Sequence, residues 1–224
     1  LSTAGRAGCE VPEPEPEPTA VEVVDTAVDT FVEVVDDDTV ACHTTYRLFV
    51  NHSMHSIHTL FGDAESPLVL PAAYQVADFG TDFGGVAPGL VAVMPEAAVD
   101  SWLSLGSADG SGCTNLGRGI AFANWTADAG ISSSDGFVTC WQGEADATGS
   151  HQPFVGGSVV VAQLTVRSDQ NLTVTMNMQG HTQDRSGGSM ASERTPDWSA
   201  RGVRFVLSTA GRAGCEVPEP EPEP

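Results

Sequence analysis

Residues 158–179 read SVVVAQLTVRSDQNLTVTMNMQ, and this stretch decides the fold class. Two runs rich in Val and Thr, residues that favour strands, flank the segment SDQ, which has the composition of a tight turn. We therefore predict strands over Ser158–Arg167 and Asn171–Gln179, joined as a β-hairpin.

Outside this stretch, short strand-like runs alternate with Gly- and Asp-rich turn signals such as Gly84-Gly85 and Asp135-Gly136. Many short strands at regular spacing are typical of a β-sandwich, so we predict an all-β, β-sandwich-like fold of about ten short strands. The acidic, Val-rich run Val21–Val35 upstream also favours strand structure. The remaining predicted strands are Cys42–His52, Ser56–Phe61, Pro67–Pro71, Leu90–Met94, Ser101–Leu105, Gly119–Ala123, Gly136–Trp141 and Gly202–Leu207.

The two ends of the 224-residue chain carry the same eighteen residues, LSTAGRAGCEVPEPEPEP, at 1–18 and at 207–224. Self-similarity at a fixed period is typical of repeat arrays, and the period here is 206 residues, which is a whole domain. We expect the chain to be a fragment of a longer repeated protein, since it also lacks an initiator Met and a signal peptide. A duplicated tag is the alternative.

This register divides the chain into four parts. We expect 1–18 to be the tail of a preceding repeat, 19–41 to be an acidic strand segment at the junction, 42–206 to be the folded bead, and 207–224 to be the tail into the next repeat. Strict Glu–Pro alternation in the tails predicts an extended polyproline II linker at each end of the bead. A disordered linker is the competing interpretation. The linker residues are Glu10, Pro12, Pro14, Pro16, Pro18, Glu216, Pro218, Pro220, Pro222 and Pro224.

The charge excludes several classes of function. The formal net charge is −21, and all nine basic residues are Arg. Nucleic acid is therefore not expected as a partner, because binding it needs many cations to neutralise phosphates. The absence of Lys excludes Schiff-base chemistry. No apolar run approaches the length of a membrane span, so we expect none.

The chain contains five cysteines, but each repeat contains four, because Cys9 and Cys215 occupy the same position one period apart. An even number favours two disulfides, and the absence of a CxxC pair argues against zinc. We predict a Cys113–Cys140 bond, which leaves Cys42 to pair with either Cys9 or Cys215.

Three N-x-S/T sequons lie at Asn51, Asn124 and Asn171. Together with paired cysteines and an acidic composition they predict covalent N-glycans on a secreted, extracellular or cell-surface protein.

Catalytic and metal signals are weak, so we expect no enzyme and no cofactor. Neither a GxSxG elbow nor an HExxH motif is present. His52, His55 and His58 share a face only on a helix, whereas the local sequence favours strand. Asp78, Asp82 and Asp109 allow a low-specificity calcium hypothesis, since calcium takes several loop oxygens.

The four tryptophans suggest the leading alternative function, which is a repeated carbohydrate-binding or adhesion module that acts by avidity. We expect Trp102 and Trp198 to pack in the core and Trp125, inside a sequon, to be exposed. Trp141 is the fourth.

Four segments in order, DSWLSLG (100–106), VVVAQLTV (159–166), NMQGHT (177–182) and PDWSARGVRF (196–205), resemble the tandemly repeated β-rich domains of large secreted surface proteins of marine microalgae and other aquatic protists. The resemblance covers about residues 42–205 and implies no catalytic activity. It implies an extracellular, glycosylated, repeated protein that is adhesive or fibre-forming.

These features together predict a structural protein, a bead that joins identical neighbours into an extracellular filament. The junction is expected to use the tail, with a disulfide at Cys42 or with a strand from Val21–Val35 donated to the same or an adjacent bead. One continuous chain of beads and separate subunits both remain open.

Overall fold

A computed structural model of the chain describes residues 24–25, 28–36, 39–52, 55–78, 80–111, 114–141, 157–182 and 198–208, with only the backbone at some strand ends. The described strands in chain order are β1 (Val24–Asp25), β2 (Asp29–Asp36), β3 (His43–His52), β4 (His55–Phe61), β5 (Leu68–Leu70), β6 (Trp102–Leu103), β7 (Thr114–Arg118), β8 (Ile131–Ser133), β9 (Phe137–Trp141), β10 (Gly157–Arg167), β11 (Leu172–Thr182) and β12 (Trp198–Leu207). A helical turn α1 (Pro88–Val93) and two 3₁₀ segments (Pro95–Val99 and Phe122–Asn124) complete the described elements.

The strands form two sheets that enclose one apolar core. Sheet A has the order β1-β12-β11-β4-β9-β7, and β5 bridges β11 to β8 on the same sheet. Sheet B has the order β2-β3-β10-β6. All described pairings are antiparallel except β1 with β12. The all-β, sandwich-like fold class predicted from the sequence is confirmed.

The predicted hairpin at residues 158–179 is wrong. Its two strands exist, but β10 pairs with β3 and β6 in sheet B, whereas β11 pairs with β12, β4 and β5 in sheet A. The turn at 168–171 is therefore a β-arch, a turn that carries the chain from one sheet to the other. Both strands are rich in apolar residues. Placing them in opposite sheets, facing each other across the core, buries more apolar surface than pairing them side by side in one sheet.

Two other predicted strands are also wrong. Leu90–Met94 lies largely in α1, where Pro88 sets the first helical φ and the Leu90 N–H donates to Ala87 O at 2.9 Å. Gly119–Ala123 comes after the strand instead of within it. Gly119 has a φ of +74°, which ends β7, and the 3₁₀ segment follows.

Residues 24–36 close the same side of both sheets. β1 adds to β12 at the edge of sheet A, and β2 adds to β3 at the edge of sheet B. Thr30 Oγ1 of β2 donates to Arg204 O of β12 at 3.5 Å, which ties the two sheets at this side. The acidic, Val-rich segment thus completes the sheets of its own chain.

β10 is buried on both faces, because every residue from Val159 to Val166 is buried. One face meets sheet A through residues such as Leu164. The other is covered by the connection 71–107: Gln163 Nε2 donates to Ala98 O and Asp100 O, both at 2.9 Å, and Thr165 Oγ1 donates to Val99 O at 2.6 Å. These two polar residues in the otherwise apolar stretch Val159–Val166 mark where the covering segment docks.

A bulge between β11 and β12 is held by Asn177, whose side chain is fully buried. Its Nδ2 donates to Ser66 O and its Oδ1 accepts from Gly202 N, both at 2.8 Å. Gly202 has a φ of +61°, a conformation that favours glycine. Asn177 therefore holds the register shift between β11 and β12.

Replacing Asn177 by Ala is expected to lower the free energy of unfolding by about 2–3 kcal/mol, because Ser66 O and Gly202 N lose their buried partner. Urea titration followed by tryptophan fluorescence measures this. Thr175→Ala, on the same strand and half-buried, is the control with an expected change below about 1 kcal/mol. Equal losses in both variants would contradict the role given to Asn177.

Candidate functional site at the two ends of the sandwich

The first and last described residues, Val24 and Ser208, lie at opposite ends of the sandwich. Val24 of β1 pairs with Trp198, the first residue of β12, and runs parallel to that strand. Leu207 is the last residue of β12 and Ser208 follows it. Ten strand residues span about 33 Å. We call the two ends of the sandwich the Val24 end and the Ser208 end.

Three segments meet at the Ser208 end: the turn 39–42, the arch 168–171 and the outgoing chain. Ser168 N donates to Cys42 O at 2.9 Å, and the Thr44 and Ser168 hydroxyls are 2.7 Å apart. Tyr46 OH donates to Ser208 O at 3.4 Å. Ser208, the last described residue, is thus held near the turn 39–42.

Cys42 occupies a left-handed backbone conformation, with a φ of +58°, and forms a disulfide. Non-glycine residues rarely adopt this φ, so the turn is locally strained and needs support from its surroundings. The side chains of the four other cysteines lie outside the described residues, so the choice between Cys9 and Cys215 stays a prediction.

The predicted Cys113–Cys140 bond also stays a prediction. Cys113 is outside the described residues, and only the backbone of Cys140 is described. Cys113 immediately precedes β7, whose Thr114 pairs with Trp141 of β9. The two strands that would carry the bond are therefore neighbours.

All three sequon asparagines are exposed. Asn51 lies near the Val24 end, where its Oδ1 accepts from Ser158 Oγ at 2.6 Å. Asn124 lies in a 3₁₀ segment, and Asn171 lies in the arch at the Ser208 end. Two of the three candidate glycan sites therefore flank the places where the chain arrives and leaves.

Both Glu–Pro linkers lie outside the described residues. The repeated segment 207–224 begins at the last residue of β12. Hence β12 ends at Leu207, the first residue of the repeated segment.

Among the tryptophans whose side chains are described, none presents the exposed ring that sugar stacking needs. Trp102 and Trp198 are buried in the core, as predicted. Trp125 is 2% exposed and its Nε1 donates to Pro71 O at 2.8 Å, so the expectation that it is exposed is wrong. The sequon it belongs to is exposed only at Asn124 and Thr126. The side chain of Trp141 lies outside the described residues.

The described histidines and acids are not brought together at a metal site. His52 ends β3 in sheet B, whereas His55 and His58 lie on β4 in sheet A. Asp109 accepts from the backbone N–H and the hydroxyl of Ser111, and these bonds lower the pKa of its carboxyl. Within the described ranges, no group of three or more His, Cys, Asp or Glu is placed to hold a metal ion, the exposed Asp78 and Asp82 included.

Asp100, a fully buried carboxylate, carries no signal in the sequence that predicted its role. It accepts from Val76 N at 2.9 Å and from Thr81 N at 2.6 Å, and a Cβ on Gly80 would lie 3.0 Å from its Oδ2. Burial raises the pKa of Asp100, backbone N–H donors partly offset this rise, and Asp82 adds to it. Asp100 is an anchor for the 71–81 segment, because its donors belong to the backbone of that segment.

The chain matches no family model, no curated protein and no solved structure. Among the helices in the described ranges, none is long and apolar enough to cross a membrane.

Asp100→Asn is expected to remove a pH dependence of stability. The folded pKa of Asp100 is raised, so wild type gains stability relative to the variant as the pH falls through that pKa, and the gain levels off below the ordinary Asp pKa of about 3.9. Thermal unfolding from pH 7 to pH 3 measures the difference.

Asp109→Asn is the matched control with the opposite sign. The pKa of Asp109 is lowered, so wild type should lose stability relative to this variant as the pH falls below the ordinary Asp value. A pH-independent difference for Asp100→Asn would contradict the assignment of its raised pKa to burial.

Proposed function

We propose that the chain is a structural repeat of an extracellular, glycosylated filament in which 206-residue units follow one another head to tail. The observation that carries this proposal is the position of the chain at opposite ends of the sandwich. The first described residue, Val24, lies beside Trp198, and the last, Ser208, follows Leu207, so the two stand at the two ends of the same strand.

This polarity supports a linear assembly of repeats. The tail that leaves the Ser208 end of one unit continues into the segment that reaches the Val24 end of the next. Each junction therefore joins unlike ends in the same sense. An assembly of this kind extends without closing on itself, as heterologous head-to-tail contacts do. Arrival and departure at the same end would instead fold successive units back on one another.

The negative charge on each unit favours repulsion between neighbouring filaments. One repeat carries eight basic and twenty-six acidic residues, a charge of −18. The edge strand β2 bears exposed Asp29 and Glu33. Charged residues on an edge strand oppose pairing with another sheet, and like-charged units repel. Identical neighbours along the chain are accordingly the partners we propose.

The exposed sequons support the extracellular and glycosylated part of the proposal. Glycans at Asn51 and Asn171 would stand at the two ends of each unit and screen the linkers from proteases. No tryptophan in the described part of the chain offers an exposed ring for sugar stacking, so a carbohydrate-binding role gains no support from these residues.

Native material should run on a denaturing gel as a species of hundreds of kilodaltons that survives reductant, because the repeats belong to one continuous chain. Gels with and without reductant measure this directly. A band of one glycosylated unit in both lanes would contradict a covalent array. Collapse to one unit only on reduction would replace the continuous chain by subunits joined through disulfides.

Enzymatic release of N-glycans in H₂¹⁸O is expected to convert Asn51, Asn124 and Asn171 to labelled Asp, as read by peptide mass spectrometry. Asn115, which is followed by Leu-Gly and so lies outside any sequon, is the internal control. Absence of label at all three positions would contradict a glycosylated filament.

A further inference from the structure

We propose that the ladder between β2 and β3 is a shear clamp, which resists tension applied between the Val24 end and the Ser208 end of the unit. The residues that form the clamp belong to β2, β3 and β12, whose positions and directions are described. Its use in a filament rests on the proposed function, because only an array passes tension from one unit to the next.

The segment that contains β1 and β2 runs alongside β12 in the same direction. Val24 pairs in parallel with Trp198, and farther along both segments Thr30 Oγ1 donates to Arg204 O at 3.5 Å. Both contacts join residues that are 174 positions apart in the sequence, so the two segments stay in step. Tension applied at the two ends of the unit therefore pulls β2 and β12 past each other along their own axes.

The hydrogen bonds between β2 and β3 lie across the direction of this pull. Seven register pairs join the two strands, from Asp29–Asn51 at one end of the ladder to Asp36–Thr45 at the other. Hydrogen bonds of an antiparallel ladder run perpendicular to the strands, so a pull along β2 loads all of them at the same time. A pull across the strands would instead open the ladder one pair at a time, which needs less force.

Side chains also join the two strands. The rings of Phe31 and Phe49, opposite each other in register, are stacked with their centroids 4.7 Å apart and their planes at 3°. Glu33 lies opposite Arg47, which is a favourable pairing of charges. Arg47 Nε donates to Gln163 Oε1 at 3.0 Å, and Gln163 belongs to the doubly buried strand β10. The ladder is therefore fastened to the centre of the fold.

β2 is the strand that yields first under this pull. It forms the edge of sheet B, pairs with β3 alone in the described part of the chain, and exposes most of its residues. β12 instead lies between β11 and β1 in sheet A, and its Gly202 N donates to Asn177 Oδ1 at 2.8 Å. The β2–β3 ladder accordingly sets the force that the unit withstands.

In the proposed filament this geometry would keep each unit at a constant length up to a threshold force. Above the threshold β2 would separate from β3 while the core of the sandwich stays closed, because no residue of β2 is fully buried. Each unit would then lengthen before it unfolds.

Single-molecule force spectroscopy on the full 224-residue chain tests the clamp by changing only the direction of the pull. Tethers are attached by click chemistry to p-azidophenylalanine, which replaces two exposed residues at a time. Asp29→p-azidophenylalanine with Ser208→p-azidophenylalanine loads β2 and β12 along their axes, and we call this the axial pull. Gln170→p-azidophenylalanine with Ser208→p-azidophenylalanine separates β11 from β12 at the Leu172–Leu207 pair, and we call this the transverse pull.

At the same loading rate, the first rupture force should be roughly threefold higher in the axial pull than in the transverse pull, because bonds that are loaded together resist more than bonds broken in succession. Both tethers sit on described residues, so the result does not depend on the path of the tails. Equal forces in the two pulls, or a lower force in the axial pull, would overturn the inference.

Phe31→Ala and Val206→Ala are matched variants, since both side chains are exposed and each belongs to one of the two ladders. Phe31→Ala removes the stack on Phe49 and should lower the axial rupture force by roughly a quarter while the transverse force stays unchanged. Val206→Ala should leave the axial force unchanged. An axial force that falls in Val206→Ala and not in Phe31→Ala would place the resistance in β12 and overturn the inference. The filament can fail its own gel test while these forces stand, so the two failures are distinguishable.

Discussion

The fold depends on β10, the strand that is buried on both of its faces. Sheet A covers one face, and the connection 71–107 covers the other through Gln163 and Thr165. A strand of this kind needs apolar or fully hydrogen-bonded residues at every position, and Val159–Val166 supply them. The partners of β10, namely β3 at one side and β6 at the other, follow from placing this strand at the centre.

The arch at 168–171 sets the direction in which the chain runs along the whole unit. Because β11 crosses to sheet A and β12 returns along it, the chain leaves at the Ser208 end. Residues 24–36 arrive from the opposite end and complete the edges of both sheets. One segment therefore closes the sandwich, and in the proposed array it would set the direction in which repeats follow one another.

The sequence predicts the strands better than their partners. Alternation of strand and turn signals places β3, β4, β9, β10 and β11 within a few residues, but a tight polar turn such as SDQ serves a hairpin and an arch equally well. Which one forms depends on contacts across the core, which are long-range. Asp100 was not predicted because it is a single Asp before Ser101 and Trp102, and nothing in the neighbouring sequence indicates that its side chain is buried. Trp125 was misjudged because a sequon exposes its Asn without exposing the next side chain.

The central claim is that repeats extend in one line. Small-angle X-ray scattering on chains of one, two and three periods tests it most directly. A sandwich of about 35 Å and a nine-residue strut of about 28 Å predict a maximum dimension that grows by a constant increment of about 60 Å per period. Growth that flattens with each added period, as for units folded back on one another, would contradict the account.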